Sequence, residues 1–449
     1  MHFTNLTGRN EIGANCYLVE GERRRLLLDC GSHPRIEGIG GLPRLELLGG
    51  RPPDAVMISH GHLDHLGSLP VLDERCPGSA VVMSHGTAAI ADRALHNSAS
   101  VMIRQRAELD LPEYPLFTHG QVDRLMERVR VLPVGRSVEV AGLEVALHEA
   151  GHVQGAVGIW VKMEGRSLFY TGDVKFSGMR ITRAAQFPDR TPDAMVIECT
   201  RGNTPSQPDF SWDGEAERFA RGIREVHEAG GSVLIPCFAL GKTQELMKLF
   251  YDLVREGRLP KQHLYIGGLG TAYNEIYDDL AESLPRLCPR FRLQRDLPWG
   301  TMNPRHAASL NLDGGQVFLV SSGMMTPGTP SHVLARRMVG VERHAIFFVG
   351  YVDPESPAGR IKAAGRGGRV DLGREAGTSD VKCRVESFDF TSHCNREHMV
   401  EYVERVRPPQ VLLVHGDAPA LEWMQRELQQ RLPGSRILIP ASGEAIPIG

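Results

Sequence analysis

The first 200 residues consist of short apolar runs separated by Gly, Pro and Asp, and many of these runs end in Asp, His or Glu. RRRLLLDCG, DAVMISH and DAMVIECT are examples. Their length and composition are typical of buried strands. Because polar groups that follow apolar strands gather at one edge of a sheet, this pattern predicts a layered, strand-rich core with a site along that edge.

The pattern changes near residue 213, where amphipathic helices begin to alternate with single apolar strands. DGEAERFARGIREVHEAGG has apolar residues at helical spacing, an acidic start and a Gly-Gly stop, and SVLIPCFALG then has the character of a buried strand. Such alternation predicts an α/β domain with a largely parallel sheet. Near the end of the chain, strand ends that carry His and Asp return. We therefore expect one site-bearing domain, residues 1–204 and 378–449, interrupted by an inserted domain, residues 205–377.

Composition and charge exclude several classes of protein. Of the 449 residues 41% are hydrophobic and 23% are charged, as in globular proteins, and no apolar stretch reaches the ~18 residues of a membrane span. The formal net charge of -3 excludes polyanion binding by bulk charge alone. The N-terminus lacks the basic and apolar regions of a signal peptide, and the eight cysteines form no CxxC pair. We expect a cytoplasmic protein without membrane contact whose cysteines are reduced.

The segment SHGHLDHLG carries four potential metal ligands directly after the apolar run AVMIS. Four such residues on one strand-to-helix turn have little structural use, so the segment predicts a metal site. Strand ends supply three more, which completes this set of seven: His60, His62, Asp64, His65, His152, Asp173 and His415. Imidazoles and carboxylates without thiolates suit Zn²⁺, with Mn²⁺ or Fe as alternatives. Seven ligands are too many for one tetrahedral ion, but two ions about 3.5 to 4 Å apart that share one carboxylate would use them all.

This ligand pattern resembles that of the metallo-β-lactamase superfamily, whose signature is His-x-His-x-Asp-His followed by a distant His, an Asp and a C-terminal His. The resemblance extends to the β-CASP branch of nucleases through Glu198 in VIECT, His393 in FTSH and the segments IPCFALGKTQEL and SSGMMTPG. It covers nearly the whole chain. It implies an α/β protein, an αββα metallo-β-lactamase sandwich with an inserted β-CASP α/β domain.

The resemblance also implies a role for each matched ligand. One metal would be held by His60, His62 and His152, and the other by Asp64, His65 and His415, with Asp173 as the bridge. Asp29 in LLLDCG would support the ligand turn without binding metal, although an ordinary turn cap is an alternative for it.

Catalysis would rest on Asp64, His393 and Glu198, of which His393 and Glu198 would transfer and orient the proton of the leaving group. Three features depart from the family pattern. The segment VGYVDPESPAGR lacks the Gly-Thr that usually precedes its Gly-Arg, which weakens the expectation that this loop contacts phosphate. Asn395 stands where Asp is usual, which lessens charge assistance to His393, and Lys242 stands where Arg is commoner, which replaces a planar phosphate fork by a point charge.

The function implied by the resemblance is a zinc-dependent ribonuclease that hydrolyses single-stranded RNA with a metal-bound hydroxide. Because the chain as a whole is not basic, local cations must bind phosphate, and the candidates are Lys242, Arg360, Arg366, Arg369 and Arg374.

Several alternatives stay open. Members of the family that act on DNA typically lack a His at the place of His415, which favours RNA but leaves a DNA nuclease as an alternative. A thioester or lactone hydrolase and a scaffold without metal are the others. Internal cleavage is favoured over 5′ exonuclease action because no long domain follows His415. A homodimer is left open.

Overall fold

The computed structural model describes residues 1–9, 11–373 and 377–449, and the chain divides into two compact units. The first unit contains 1–178, 184–206 and 393–449, and the second contains 179–183 and 207–392. Across these described ranges, no helix combines the length and the apolar character that crossing a membrane requires.

The elements before residue 205 are mostly short strands. The strands are β1 (His2–Asn5), β2 (Tyr17–Glu20), β3 (Arg25–Leu28), β4 (Ala55–Met57), β5 (Ala80–Ser84), β6 (Arg130–Leu132), β7 (Ser137–Val140), β8 (Leu143–Glu149), β9 (Val157–Met163), β10 (Arg166–Tyr170) and β11 (Ala194–Glu198). The helices are α1 (Leu63–Leu66), α2 (Leu69–Arg75), α3 (His85–Glu108) and α4 (His119–Arg128), with 3₁₀ turns at Gly38–Gly41 and Leu45–Leu48.

Helices and strands alternate in the elements of the second unit. The helices are α5 (Trp212–Glu228), α6 (Lys242–Arg255), α7 (Gly270–Asp279), α8 (Leu293–Asp296), α9 (Pro304–Ser309), α10 (Pro330–Met338) and α11 (Pro357–Ala364). The strands are β12 (Val233–Pro236), β13 (His263–Gly267), β14 (Gly300–Met302), β15 (Gln316–Val320), β16 (Ala345–Phe348), β17 (Arg369–Asp371), β18 (Thr378–Asp380) and β19 (Arg384–Ser387). The chain then returns to the first unit with α12 (Arg396–Val406), β20 (Gln410–Val414), α13 (Ala418–Arg431), β21 (Arg436–Leu438) and β22 (Ala445–Pro447).

The first unit is a sandwich of two seven-stranded sheets. One has the strand order β22-β1-β2-β3-β4-β5-β6 and the other β21-β20-β11-β10-β9-β8-β7. A hydrophobic core between them joins side chains of both sheets, such as Leu28 and Ile159. α3 packs on the outer face of the first sheet through Leu95, and α12 and α13 pack on the second through Val403 and Met424. The expected αββα sandwich is confirmed.

Strand β3 illustrates how an apolar run builds two faces. Leu26 and Leu28 lie in the core between the sheets, whereas Leu27 lies in the cluster that packs against the helices. Successive side chains of a strand point to opposite faces, and here both faces are covered, so all three positions are fully buried. This explains the continuous apolar run of residues 26–28.

The second unit is built on a six-stranded sheet of the order β14-β13-β15-β12-β16-β19, in which every strand pair is parallel. The expected inserted α/β domain is confirmed. Its first helix, α5, begins after Ser211, whose hydroxyl accepts a hydrogen bond from the Gly214 N–H, and ends before Gly230, whose φ is 73°. The helix begins one residue before the predicted acidic start and ends next to the predicted Gly-Gly stop, whereas its N-cap, Ser211, was not predicted.

The second unit extends to residue 392, whereas we expected the insertion to end at 377. The reason is β19, which pairs in parallel with β16 and so completes the six-stranded sheet. The unit also includes Met179–Arg183, which the carboxylate of Glu245 on α6 holds. That carboxylate accepts hydrogen bonds from the backbone N–H groups of Arg180, Ile181 and Thr182. Pairing and hydrogen bonding therefore set these boundaries rather than composition.

Candidate metal centre

Ends of apolar strands bring the predicted ligands to one place in the first unit. His60 follows β4, and Asp173 follows β10. β11 and β20 pair in parallel, so that their last residues, Glu198 and Val414, lie side by side, and His415 comes next in the chain. Polar residues that follow strands of both sheets therefore come together, whereas the sequence pattern predicted one edge of a single sheet.

Two glycines allow the chain to fold closely around these ligands. A Cβ on Gly31 would lie 1.8 Å from the carbonyl oxygen of Asp64, and a Cβ on Gly416 would lie 2.8 Å from the carbonyl oxygen of Cys199. His415 has a φ of 50°, in the left-handed region that few residues other than glycine adopt. Such backbone conformations persist where the surrounding structure determines them, often at functional sites.

Three histidines form the first ligand group. Nε2 of His60 and Nε2 of His152 lie 3.0 Å and 3.1 Å from Nδ1 of His62. Burial lowers the pKa of His60 well below its ordinary value and also lowers the pKa of His62, which favours neutral rings. A neutral ring has one nitrogen with a free lone pair, and lone pairs at this spacing repel each other unless a proton or a cation lies between them.

Asp64, His65 and His415 form the second ligand group. Oδ2 of Asp64 lies 3.8 Å from Nε2 of His65 and 3.4 Å from Nε2 of His415. Burial lowers the pKa of His415, but the charge of Asp173 and the hydrogen bonds of Asp173 and Asp64 together outweigh burial and raise the pKa to about 10. Burial and the same carboxylate act on His65, whose pKa is also raised. The second group therefore favours positive charge between the carboxylates of Asp64 and Asp173.

Asp173 faces both groups with its two carboxylate oxygens. Oδ2 lies 3.7 Å from Nε2 of His60 and 3.6 Å from Nε2 of His152. Oδ1 lies 2.8 Å from Nδ1 of His415 and 3.4 Å from Nε2 of His65. This orientation suits a carboxylate shared between two ions.

The donor set fits divalent transition metals. The ligand atoms within each group lie within 4.8 Å of one another. Nε2 of His415 is buried, and within the described part of the chain it makes no hydrogen bond of good geometry, although Oδ2 of Asp64 lies 3.4 Å away. A buried polar atom without a partner costs free energy, which metal coordination would relieve. Imidazole and carboxylate donors without thiolates suit Zn²⁺ and Mn²⁺.

Asp29 supports the ligand turn. Its Oδ2 lies 2.7 Å from Nδ1 of His65 and accepts hydrogen bonds from the hydroxyls of Ser59 at 2.7 Å and Tyr170 at 2.6 Å. Its Oδ1 accepts the backbone N–H of Ser59 at 2.6 Å. Because Nδ1 of His65 is directed to Asp29, Nε2 is the nitrogen left for a metal.

A third cluster joins His393 and Glu198 to Asp173. Nδ1 of His393 lies 3.3 Å from Oε1 of Glu198 and 3.9 Å from Oδ2 of Asp173. The carboxylate of Glu198 is fixed by the backbone N–H groups of Val174 at 2.8 Å and Thr200 at 3.2 Å. The side chain of His393 is 20% exposed and that of Glu198 is 2% exposed, so His393 is the member of the pair that a substrate can reach.

The chain around His393 is also held by its neighbours. The ammonium group of Lys175 donates to the carbonyl oxygen of His393 at 3.2 Å. Asn395 is the N-cap residue of α12 and makes no side-chain capping hydrogen bond. Its effect on the charge of His393 stays a prediction.

Three family models match the chain in sequence order. The metallo-beta-lactamase superfamily matches residues 9–196, the Beta-Casp domain matches residues 243–361, and the Zn-dependent metallo-hydrolase RNA specificity domain matches residues 378–440. The chain belongs to the β-CASP branch of the metallo-β-lactamase superfamily. The family expected from the ligand pattern is therefore confirmed.

Three similar proteins illustrate the relationship. The chain is 27% identical to Integrator complex subunit 11 of Danio rerio, over 99% of this chain and 74% of the relative. It is 26% identical to cleavage and polyadenylation specificity factor subunit 3 of Dictyostelium discoideum, over 100% of this chain and 57% of the relative. It is also 26% identical to endoribonuclease YSH1 of Eremothecium gossypii, over 93% of this chain and 55% of the relative. The chain thus spans little more than half the length of the last two.

A solved structure shares the fold. It is a protein of unknown function from Enterococcus faecalis V583, with a TM-score of 0.58, 12% identity and 99% coverage of both chains. At 12% identity, this similarity is evidence for the fold of the chain only.

Among the residues predicted to bind phosphate, Lys242 differs from expectation. It is the first residue of α6, its side chain is buried, and its ammonium group donates to the carbonyl oxygen of Phe390. A buried ammonium group that already donates to a backbone carbonyl oxygen is poorly placed to bind a phosphate.

The arginines of the inserted β-CASP domain are placed differently. Arg360, Arg366 and Arg369 are exposed. Arg360 donates to two backbone carbonyl oxygens, and Arg369 forms an ion pair of 3.3 Å with Asp380. Arg374 lies outside the described residues. Phosphate binding by the three described arginines stays a prediction.

Asn15 is a residue of the centre that the sequence analysis missed. It is fully buried, and its Nδ2 lies 3.0 Å from Nε2 of His65 and donates to the carbonyl oxygen of Asp64 at 3.1 Å. Its Oδ1 accepts the hydroxyl of Tyr17 at 2.7 Å. The available signal was an amide directly before the apolar run CYLV, since a buried amide must find hydrogen-bond partners.

Proposed function

We propose that the chain is a metal-dependent endoribonuclease that hydrolyses phosphodiester bonds of single-stranded RNA. The observation that carries the proposal is the position of the His393–Glu198 pair beside the ligand groups, in a cluster that includes Asp173. Phosphodiester hydrolysis requires stabilisation of negative charge at phosphorus and a proton for the leaving oxygen, and this arrangement offers a place for both. Two comparisons support RNA as the substrate. Residues 378–440 match an RNA specificity domain, and one relative is named an endoribonuclease.

The seven ligands would hold two divalent ions, with His60, His62 and His152 in one group, Asp64, His65 and His415 in the other, and Asp173 between them. Such ions, when bound, supply an activated water at neutral pH and polarise the phosphoryl oxygen. Asp29 orients His65 for this purpose through its 2.7 Å contact with Nδ1.

His393 donates a proton from Nε2 to the leaving oxygen. Glu198 contacts Nδ1, which orients the ring and stabilises the positive charge of its protonated form. Two backbone N–H groups hold the Glu198 carboxylate, and the ammonium group of Lys175 holds the His393 backbone. The proton donor is therefore fixed at both its side chain and its main chain.

We also propose that the native metal is zinc, on the basis of the imidazole and carboxylate donors. On the basis of the sequence, we propose a cytoplasmic location. A homodimer is kept as an alternative oligomeric state. A DNA nuclease is kept as the alternative activity, to be decided by experiment.

The proposal is tested with an RNA of about 30 nucleotides, labelled at either end, and a DNA of the same sequence. Metal-stripped protein should cut the RNA internally once Zn²⁺ or Mn²⁺ is added, and Asp173→Asn should not. Cuts that proceed only from the 5′ end would overturn the endonucleolytic mode. Faster cleavage of the DNA, or hydrolysis of thioesters or lactones with intact RNA, would overturn the substrate.

A further inference from the structure

Asn15 lies in the first unit, between the start of β2 and the ligand turn. Its backbone N–H donates to the carbonyl oxygen of Asp64 at 2.8 Å, and its side-chain Nδ2 donates to the same oxygen at 3.1 Å. Its own carbonyl oxygen accepts the backbone N–H of Gly31 at 2.9 Å. Asn15 therefore fixes the peptide group that joins two ligands, Asp64 and His65.

The amide of Asn15 also reaches the ligand nitrogen of His65. Nδ2 lies 3.0 Å from Nε2 of His65, and the other nitrogen of that ring lies 2.7 Å from Asp29. The hydroxyl of Tyr17 donates to Oδ1 of Asn15, which directs Nδ2 rather than the oxygen towards His65. The orientation of the amide is thus set by its partners on both sides.

The ligands that Asn15 contacts belong to one group. Asp64 and His65 form the second ligand group with His415, whereas the first group consists of His60, His62 and His152 with Asp173. Asp29, in contrast, is linked to both ligand groups through Ser59. The hydroxyl of Ser59 donates to Asp29, and it lies 3.1 Å from Nδ1 of His60 and 3.3 Å from Nδ1 of His65.

We propose that Asn15 is a positioning residue that sets the affinity of the second metal position and leaves the first unchanged. This rests on the proposed function, because it assumes the two-ion centre. Asn15 holds the Asp64–His65 peptide in place through two hydrogen bonds to the carbonyl oxygen of Asp64, and it thereby positions the side chains of both ligands. Residues that support metal ligands typically account for a 10- to 100-fold difference in metal affinity, and that is the change expected here.

The test is a titration of metal-stripped protein with Zn²⁺ in the presence of a competing chelator. The variants are Asn15→Ala, Asn15→Ser and Tyr17→Phe, and the matched control is Asn5→Ala. Asn5, the last residue of β1, is also a buried asparagine, but its Nδ2 donates to the carbonyl oxygen of Pro440. Wild type and Asn5→Ala should each bind two Zn²⁺ ions, and the affinity of each position should be the same in the two proteins.

Asn15→Ala and Asn15→Ser should retain one ion at wild-type affinity and bind the other about 10- to 100-fold more weakly. Tyr17→Phe keeps the amide but not its orienting hydroxyl, and it should weaken the same ion by less. With Co²⁺ as the probe, the visible absorption of only one of the two ions should change.

Equal weakening of both ions, unchanged affinities, or a wild type that binds no Zn²⁺ would each overturn the inference. Failure of both Asn15 variants to fold, while Asn5→Ala folds, would also overturn it, since the role would then be structural. RNA cleavage does not enter this test. If Asn15→Ala selectively loses one ion but the wild type leaves RNA intact, the inference stands and the ribonuclease proposal fails.

Discussion

Nδ1 of His393 lies 3.3 Å from Oε1 of Glu198, although the two residues are 195 positions apart in the chain. Glu198 ends β11, and His393 is the first residue after the chain returns from the second unit. The return therefore places an imidazole beside a carboxylate that the backbone of the first unit already holds. A His next to a buried, fixed carboxylate is a common arrangement for proton transfer.

We expect His393→Ala to lower the rate of RNA cleavage by about 10²- to 10⁴-fold, because it removes a general acid. The variant keeps all seven metal ligands, so its metal content and its RNA affinity should equal those of the wild type. Single-turnover cleavage, elemental analysis and filter binding measure the three quantities. His398→Ala, at an exposed position of α12, is the control and should cut at the wild-type rate. Loss of metal from His393→Ala would mean that His393 is a ligand.

Asp29→Ala should weaken both metal positions. It removes the carboxylate that holds His65 directly and, through Ser59, also affects His60. The expected loss of Zn²⁺ affinity is about 10- to 100-fold. Chelator competition measures it, and Tyr170→Phe, which removes one donor to the same carboxylate, should show a smaller loss. Unchanged affinity in Asp29→Ala would favour the ordinary turn cap.

Glu245→Ala should destabilise the second unit. The carboxylate is buried and accepts hydrogen bonds from three backbone N–H groups and the Thr182 hydroxyl, so its removal leaves these donors unpaired. We expect the free energy of unfolding to fall by about 3 kcal/mol or more. Urea denaturation measures it. Glu228→Ala, at the exposed end of α5, should change it by less than about 0.5 kcal/mol. Equal effects of the two variants would contradict the role of Glu245.

Arg366→Ala should reduce the salt dependence of RNA binding. Arg366 is exposed, and each phosphate contact on a single strand contributes about 0.7 to the slope of log affinity against log salt. Binding at several salt concentrations measures the slope. Arg295→Ala is the control, because Arg295 is exposed but paired with Asp296. A slope that is unchanged in Arg366→Ala would exclude a phosphate contact there.

The ligand turn could be predicted from the sequence because its four ligands are local. His60, His62, Asp64 and His65 follow one strand within six positions, so no long-range pairing is needed to recognise them. The pairing of His393 with Glu198 depends on strand order and came only from the family resemblance. A glutamate at the end of a strand has no distinctive pattern of its own.

Two other features could not be predicted, for physical reasons. Lys242 stands where the family pattern usually has Arg, but its burial depends on packing against the segment that contains Phe390, far along the chain. The end of the second unit at 392 depends on the pairing of β19 with β16. Local composition does not determine which distant strands pair or in which register.

The most direct test of the account is the number of Zn²⁺ ions per chain, counted by native mass spectrometry of metal-stripped protein to which Zn²⁺ has been returned. The two ligand groups and the orientation of Asp173 between them predict two ions in the wild type. They predict fewer in Asp173→Asn, because the shared carboxylate is lost. A wild type that retains no ion, or an Asp173→Asn variant that retains both, would contradict the two-ion centre.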